Sequence, residues 1–252
     1  MPIAASLYYY AYLQEGQMQT PVVLIHGAGG THLQWSPQLR RLPGYRVFAL
    51  DLPGHGKSGG RGLQSIQGYA DAIVEWLSAV GLSRAVFVGH SMGGAIALTL
   101  ALDHPQHVSR LALVSTGARL RVHPAILDNA ASESTYLNAV QTIIEWAFSS
   151  QAPPRMVELA AKRMAETRAS VLYGDFLACN DFDVSERLVE IHHPTLVVCG
   201  VEDRMTPLRY SQFLAEHIPN AHLQIVPNAG HMVILEQPQA VANALLTFLS
   251  RR

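Results

Sequence analysis

Charge is scarce in this sequence. Only 15% of its 252 residues are Asp, Glu, Lys or Arg, and the signs nearly cancel to a formal net charge of −1. A chain so balanced has no basic surplus with which to hold nucleic acid or an acidic membrane surface. Cysteine is scarcer still: Cys179 and Cys199 are the two, both in apolar surroundings. That is too few for the disulfide framework of a small secreted domain, and a reduced, cytoplasmic pair is expected. No apolar run reaches the length that spans a bilayer. The opening Met1-Pro2-Ile3-Ala4-Ala5-Ser6 lacks the basic stretch and apolar core of a signal peptide. There is no internal repeat and no low-complexity segment. Apolar residues are plentiful, at 49%. The length suits one large α/β domain or a core with an insertion.

Apolar runs alternate with helix-spaced segments. Leu7 to Leu13 predicts a strand, with Glu15-Gly16 as its turn, and Pro21 to Ile25 predicts a buried one. Thr31 to Leu42 predicts a short helix and Tyr45 to Leu50 a strand. Ile66, Ala70, Ile73, Leu77 and Val80 recur at helical spacing up to Gly81. Val108 to Val114, Pro194 to Gly200 and His222 to Val226 read as further strands, and Leu208 to Ile218 and Val233 to Leu249 as helices. Such alternation predicts an α/β fold, a mostly parallel sheet with helices on both faces. From about Gly117 to Ile191 the alternation stops. Helical patterns replace it at Ser134 to Phe148, at Pro154 to Ala165 and, as a candidate, at Val171 to Cys179. Residues 1–116 and 192–252 are therefore expected to form the core, and 117–191 a helical cap.

One stretch carries chemistry. Val86-Phe87-Val88 is a strand, Ala95 to Ala101 a buried helix, and between them stands Gly89-His90-Ser91-Met92-Gly93. Strand, Gly-x-Ser-x-Gly, helix is the pattern of a nucleophile elbow. The turn must be tight enough to stand the serine hydroxyl clear of the sheet, so Cβ atoms two residues either side are not tolerated. The following helix begins at once, and the Met92 N–H is placed to donate to an oxyanion.

A serine hydroxyl needs a base to activate it and a third group to orient that base. Asp203 follows a predicted strand, and His231 follows the last one. Both lie at the strand ends where Ser91 is expected, in the order Ser, acid, His. His231 would take and return the proton, and Asp203 would hold its tautomer. Glu202, one residue earlier, is the rival acid.

Four signatures stand in order: His26-Gly27-Ala28-Gly29, Asp51-Leu52-Pro53-Gly54-His55-Gly56-Lys57-Ser58, Gly89-His90-Ser91-Met92-Gly93 and Gly230-His231. With them the chain resembles the α/β-hydrolase superfamily, in the branch of small bacterial esterases, lactonases and cofactor-free perhydrolases. The resemblance spans nearly the whole chain and is weakest from Gly117 to about Val171. It implies that the second oxyanion donor is the Ala28 N–H, with Gly29 as the alternative. It also disfavours epoxide hydrolase and haloalkane dehalogenase chemistry, whose elbows carry aspartate in such relatives.

The resulting expectation is a serine hydrolase of carboxylic esters, lactones included, acting on a small molecule without cofactor or metal. Perhydrolysis, or hydrolysis of a carbon–carbon bond, with the same triad is the alternative, and a non-catalytic receptor the more distant one. Tyr136, Trp146, Met156 and Phe176 are candidate substrate-binding residues of the cap. His26 and His90 read as scaffold beside the site, and Asp51 and His55 as pins of their loop. His192-His193 is rejected as a metal pair, since adjacent side chains diverge and no other ligand is apparent.

Overall fold

The computed structural model describes residues 2–13 and 19–251. The expected turn at Glu15-Gly16 lies outside the described residues. In chain order the strands are β1 (Ile3–Ala4), β2 (Leu7–Tyr12), β3 (Val22–Ile25), β4 (Val47–Leu50), β5 (Ala85–His90), β6 (Val108–Val114), β7 (Thr195–Gly200) and β8 (Ala221–Val226). They form one eight-stranded sheet in the order β1-β2-β4-β3-β5-β6-β7-β8. β2 runs antiparallel to β1 and β4, and every pairing from β4 to β8 is parallel.

Alternate residues of the central strands feed two separate cores. Val23, Ile25, Phe87, Leu111 and Val197 pack on one face, and Val22, Leu24, Val88, Val114 and Val198 on the other. That is the two-residue period of a strand buried on both sides. The first face is covered by α2 (Ile66–Ala79) and α3 (Met92–Asp103), which follow the short α1 (Pro37–Arg40).

Between β6 and β7 stand α4 (Pro124–Ala130), α5 (Tyr136–Ala147), α6 (Pro154–Ala165) and α7 (Ala169–Asp181). Ile126, Val140, Ile143, Leu172 and Phe176 give this segment an apolar cluster of its own, which Met232 joins from the sheet side. α8 (Leu208–His217), α9 (Val233–Glu236) and α10 (Pro238–Ser250) complete the chain. No helix among the described residues is long and apolar enough to cross a membrane.

Proline accounts for two departures from the expected elements. The helix expected over Thr31 to Leu42 is a 3₁₀ turn at His32–Gln34 followed by α1. Pro37 pushes Ser36 out of helical geometry, to ψ 157°. Similarly, the closing helix is broken at Gln237, ahead of Pro238. α4 was not foreseen. It starts with Pro124 at its first position, and the His123 ring accepts from the Ala125 N–H at 3.2 Å.

Candidate active site

The end of β5 and the start of α3 leave a single residue between them, Ser91. Its backbone stands at φ 53°, ψ −118°. A non-glycine residue held there stores strain of order 1–3 kcal/mol, and such strain persists only where the surroundings enforce it. They do so here. Ser91 N–H donates to the Val114 carbonyl at 2.9 Å, and its own carbonyl accepts from Gly94 N–H and the Thr116 hydroxyl, each at 2.8 Å. A Cβ on Gly89 would overlap the Gly93 carbonyl, and one on Gly93 would overlap the Ile25 carbonyl. The two glycines are therefore required by backbone approach on both sides of the serine.

Asp203 and His231 meet across the loops after β7 and β8. His231 Nδ1–H donates to the Asp203 carboxylate, 3.0 Å from Oδ2 and 3.2 Å from Oδ1. That partner assigns the proton to Nδ1 and leaves Nε2 as an acceptor. The carboxylate also accepts from Met205 N–H (3.0 Å), Thr206 N–H (2.8 Å) and the Thr206 hydroxyl (2.9 Å). Burial alone would raise its pKa. The His231 ring and the Thr206 donors outweigh that and hold Asp203 below the usual carboxylate value. Glu202 points elsewhere: its carboxylate accepts from the Ser150 N–H and hydroxyl at 3.1 and 3.0 Å.

The two neighbouring histidines are neutral scaffold by their hydrogen bonds. His26 Nδ1–H donates to the Gly27 carbonyl at 2.8 Å, and its Nε2 accepts from Leu52 N–H at 3.1 Å. Burial, then the charge of His55, pushes its pKa down to about 4. His90 Nε2–H donates to the His231 carbonyl at 2.9 Å, and burial followed by His231 lowers it to about 3. Asp51 pins its loop by accepting from His32 N–H at 2.6 Å and Lys57 N–H at 2.8 Å.

The loop after β3 packs directly on the elbow: a Cβ on Gly27 would lie 3.1 Å from the Ser91 Cβ. Most of its N–H groups are committed. Gly27 N–H donates to Gln34 Oε1 (3.0 Å), Gly29 N–H to Asp175 Oδ2 (2.8 Å) and Gly30 N–H to the Gly27 carbonyl (3.0 Å). Neither the Ala28 nor the Met92 N–H donates to a protein acceptor among the described residues.

Ser91, His231 and Ala28 line one cavity of about 490 Å³. Its remaining wall is mostly apolar and comes largely from α5 to α7. Met156 and Phe176 belong to that wall; Tyr136 and Trp146 do not. The Tyr136 hydroxyl is turned to the Met164 and Thr167 carbonyls, 2.8 and 2.6 Å away. Trp146 stacks edge-on against His123, with ring centres 5.3 Å apart. Sequence reading had missed wall residues Met164, Met205 and Met232. It also missed Thr206 and Glu236, which brace the Asp203 and His231 loops. Thr206 had a signal: a hydroxyl three residues after an aspartate on a turn is a common local partner. Among the described residues no group of three or more His, Cys, Asp or Glu could hold a metal ion.

A family model described as the alpha/beta hydrolase fold matches residues 20–238. The chain belongs to that family. Within it, the likeness runs to small bacterial esterases. A thermophilic esterase of known structure is 36% identical, covering 96% of this chain and 97% of its own, with a TM-score of 0.82. A solved N-acyl homoserine lactone degrading enzyme is 29% identical over 96% of both chains, with a TM-score of 0.83. "Putative carbamate hydrolase RutD" from Caulobacter sp. strain K31 is 32% identical, covering 91% of this chain and 90% of its own.

Proposed function

We propose that this protein hydrolyses carboxylic esters of small molecules through an acyl-enzyme on Ser91. One observation carries the reading: Ser91, on its strained turn, shares a cavity with His231, whose Nδ1–H is held by Asp203. His231 Nε2 takes the Ser91 proton as the hydroxyl oxygen attacks the ester carbonyl. The carbonyl oxygen gains a full negative charge in the tetrahedral intermediate. The uncommitted Ala28 and Met92 N–H groups receive it, a contribution of roughly 3–4 kcal/mol for one such donor. Asp203 remains ionised and stabilises the imidazolium. His231 then returns the proton to the departing alcohol, and a water activated by the same nitrogen releases the acid. The helices between β6 and β7 act as a cap over the carbonyl and exclude water from it.

A lactone is an internal ester and follows the same steps. Carbamate hydrolysis is the second reading. It is favoured by the relative named for that reaction, and a carbamate carbonyl accepts the same attack. The test is a panel of chromogenic esters, lactones and carbamates with wild type and Ser91→Ala. A fluorophosphonate should label Ser91 alone, and Ser91→Ala should lose turnover by orders of magnitude while staying folded. Labelling at another serine, or turnover surviving in Ser91→Ala, rejects the proposal.

A further inference from the structure

The mechanism above makes no use of a charged group buried beside it. Asp175 lies in α7 and is fully buried. Its Oδ1 accepts from the Tyr69 hydroxyl at 2.5 Å, and its Oδ2 from His55 Nε2–H at 2.8 Å and from Gly29 N–H at 2.8 Å. His55 is buried too, and its other ring nitrogen donates to the Pro53 carbonyl at 3.1 Å. With an acceptor on each side, the charged ring is the form that can donate to both at once, beside the Asp175 carboxyl group. Burial disfavours the charged ring, but the Asp175 carboxylate outweighs it and the His55 pKa is raised. Burying such a pair is costly, and an apolar pair of the same volume is often as stable or more so. Stability alone gives poor reason to keep it.

Its one backbone contact is the informative one. Gly29 sits at φ 64° in the loop that carries Ala28. The Gly29 N–H is held by Asp175, and its carbonyl accepts from the Thr167 hydroxyl at 3.0 Å. Both grips come from α7 or the two residues ahead of it, none from the sheet. They fix the Ala28–Gly29 peptide through its N–H and the Gly29–Gly30 peptide through its carbonyl, and so restrain Ala28, whose own N–H stands in the peptide just before them.

We propose that Asp175 is a positioning residue for the oxyanion donor: by accepting from Gly29 N–H, with Thr167 on the opposite side, it aims the Ala28 N–H at the reacting carbonyl. His55 and Tyr69 hold the carboxylate in place to do so. The proposal rests on the serine hydrolase reading. It also gives the His55 loop a role there, because His55 reaches the oxyanion loop through Asp175.

The test compares two variants of nearly equal shape. Asp175→Asn keeps an acceptor for Gly29, whereas Asp175→Leu removes it. Active sites are titrated with fluorophosphonate so that rates refer to folded enzyme. Wild type that is not labelled at Ser91 would sink the underlying reading itself. With labelling intact, Asp175→Leu should lose about 10- to 100-fold in kcat, less than removal of an oxyanion donor outright, with KM changed by no more than about twofold. The inhibition constant of phenylboronic acid, which forms a tetrahedral serine adduct, should rise in proportion. Asp175→Asn should recover most of both. A purely structural role would lower the thermal midpoint and leave kcat per titrated site and boronate affinity unchanged; that result overturns the proposal, as does equal loss in the two variants. If Asp175→Leu does not fold, Thr167→Val tests the same residue through its other peptide, the one that carries the Gly29 carbonyl. It should give a several-fold loss in kcat with matching loss of boronate affinity, and wild-type values for both would overturn the proposal.

Discussion

Asp203 and Glu202 are neighbours in the chain, yet their carboxylates serve opposite sides of the loop. Asp203 turns inward to His231 and Thr206, and Glu202 turns outward to Ser150. The division follows from backbone direction. Glu202 N–H donates to the Ala229 carbonyl at 2.9 Å, tying that residue to the His231 loop by its main chain and sending its side chain away.

Asp203→Asn keeps the shape of the acceptor but offers His231 an amide, which favours the wrong tautomer. By analogy with serine hydrolases, kcat should fall on the order of 10³–10⁴-fold. Glu202→Gln should stay within about twofold of wild type, because its contacts are exposed and remote from the ring. Steady-state ester kinetics on both variants check the ranking. The reverse order would show that Glu202 orients the base.

The cavity wall separates four residues of the helices between β6 and β7 into two behaviours. Met156→Ala enlarges the cavity at a half-buried position and should move the preferred acyl length upward with little change in thermal midpoint. Phe176→Ala should do the same and also cost about 3–5 kcal/mol, since the ring is packed in the apolar cluster of those helices as well. Tyr136→Ala and Trp146→Ala should lower stability and leave the chain-length profile where it was. Ester series on the four variants, with thermal melts, distinguish the two groups. A profile shift in Tyr136→Ala or Trp146→Ala, or none in Met156→Ala, contradicts the assignment.

His55 predicts a dependence of stability on alkaline pH. Its folded pKa is raised above 6.5 by Asp175. Asp51, also acidic, stands near it, the His26 ring lies 4.8 Å away and Tyr69 faces it from α2. A raised histidine contributes stability that is fully present below its unfolded pKa and is lost as pH rises through the folded one. Urea midpoints should therefore fall as pH rises above the ordinary histidine value of 6.5 in wild type, and the slope should be smaller in His55→Gln. Parallel curves would place the charge elsewhere.

The sheet and the edge on which Ser91, Asp203 and His231 stand were legible in the sequence for a local reason. Ser91 and Asp203 follow apolar runs that read as strands, His231 follows an alternating one, and the glycines at 89 and 93 mark the tight turn within a few residues. Asp175 was not legible. It lies 146 residues from Gly29, in a helix whose apolar spacing says nothing of which neighbour a carboxylate will meet. The same limit applies to Tyr136 and Met156. Both sit on helices with an apolar face, and only the direction of each side chain separates a cavity wall from a packed hydroxyl. The breaks at Pro37 and Pro238 could have been read from the missing N–H, but periodic apolar residues run past both.

Glu236 accepts from Gly230 N–H at 2.8 Å and from Ser149 N–H at 2.9 Å, and Met232 N–H donates to the Ala147 carbonyl at 2.9 Å. The His231 loop is thus sewn to the end of α5, as the loop of Ala28 is sewn to α7. The helical segment is consequently no exchangeable module. A graft that imports a relative's helices to change the substrate would import or lose the alignment of both loops with it. A donor would have to carry matching side chains at positions 167 and 175, and a backbone N–H at 149, to keep both loops where they stand beside Ser91.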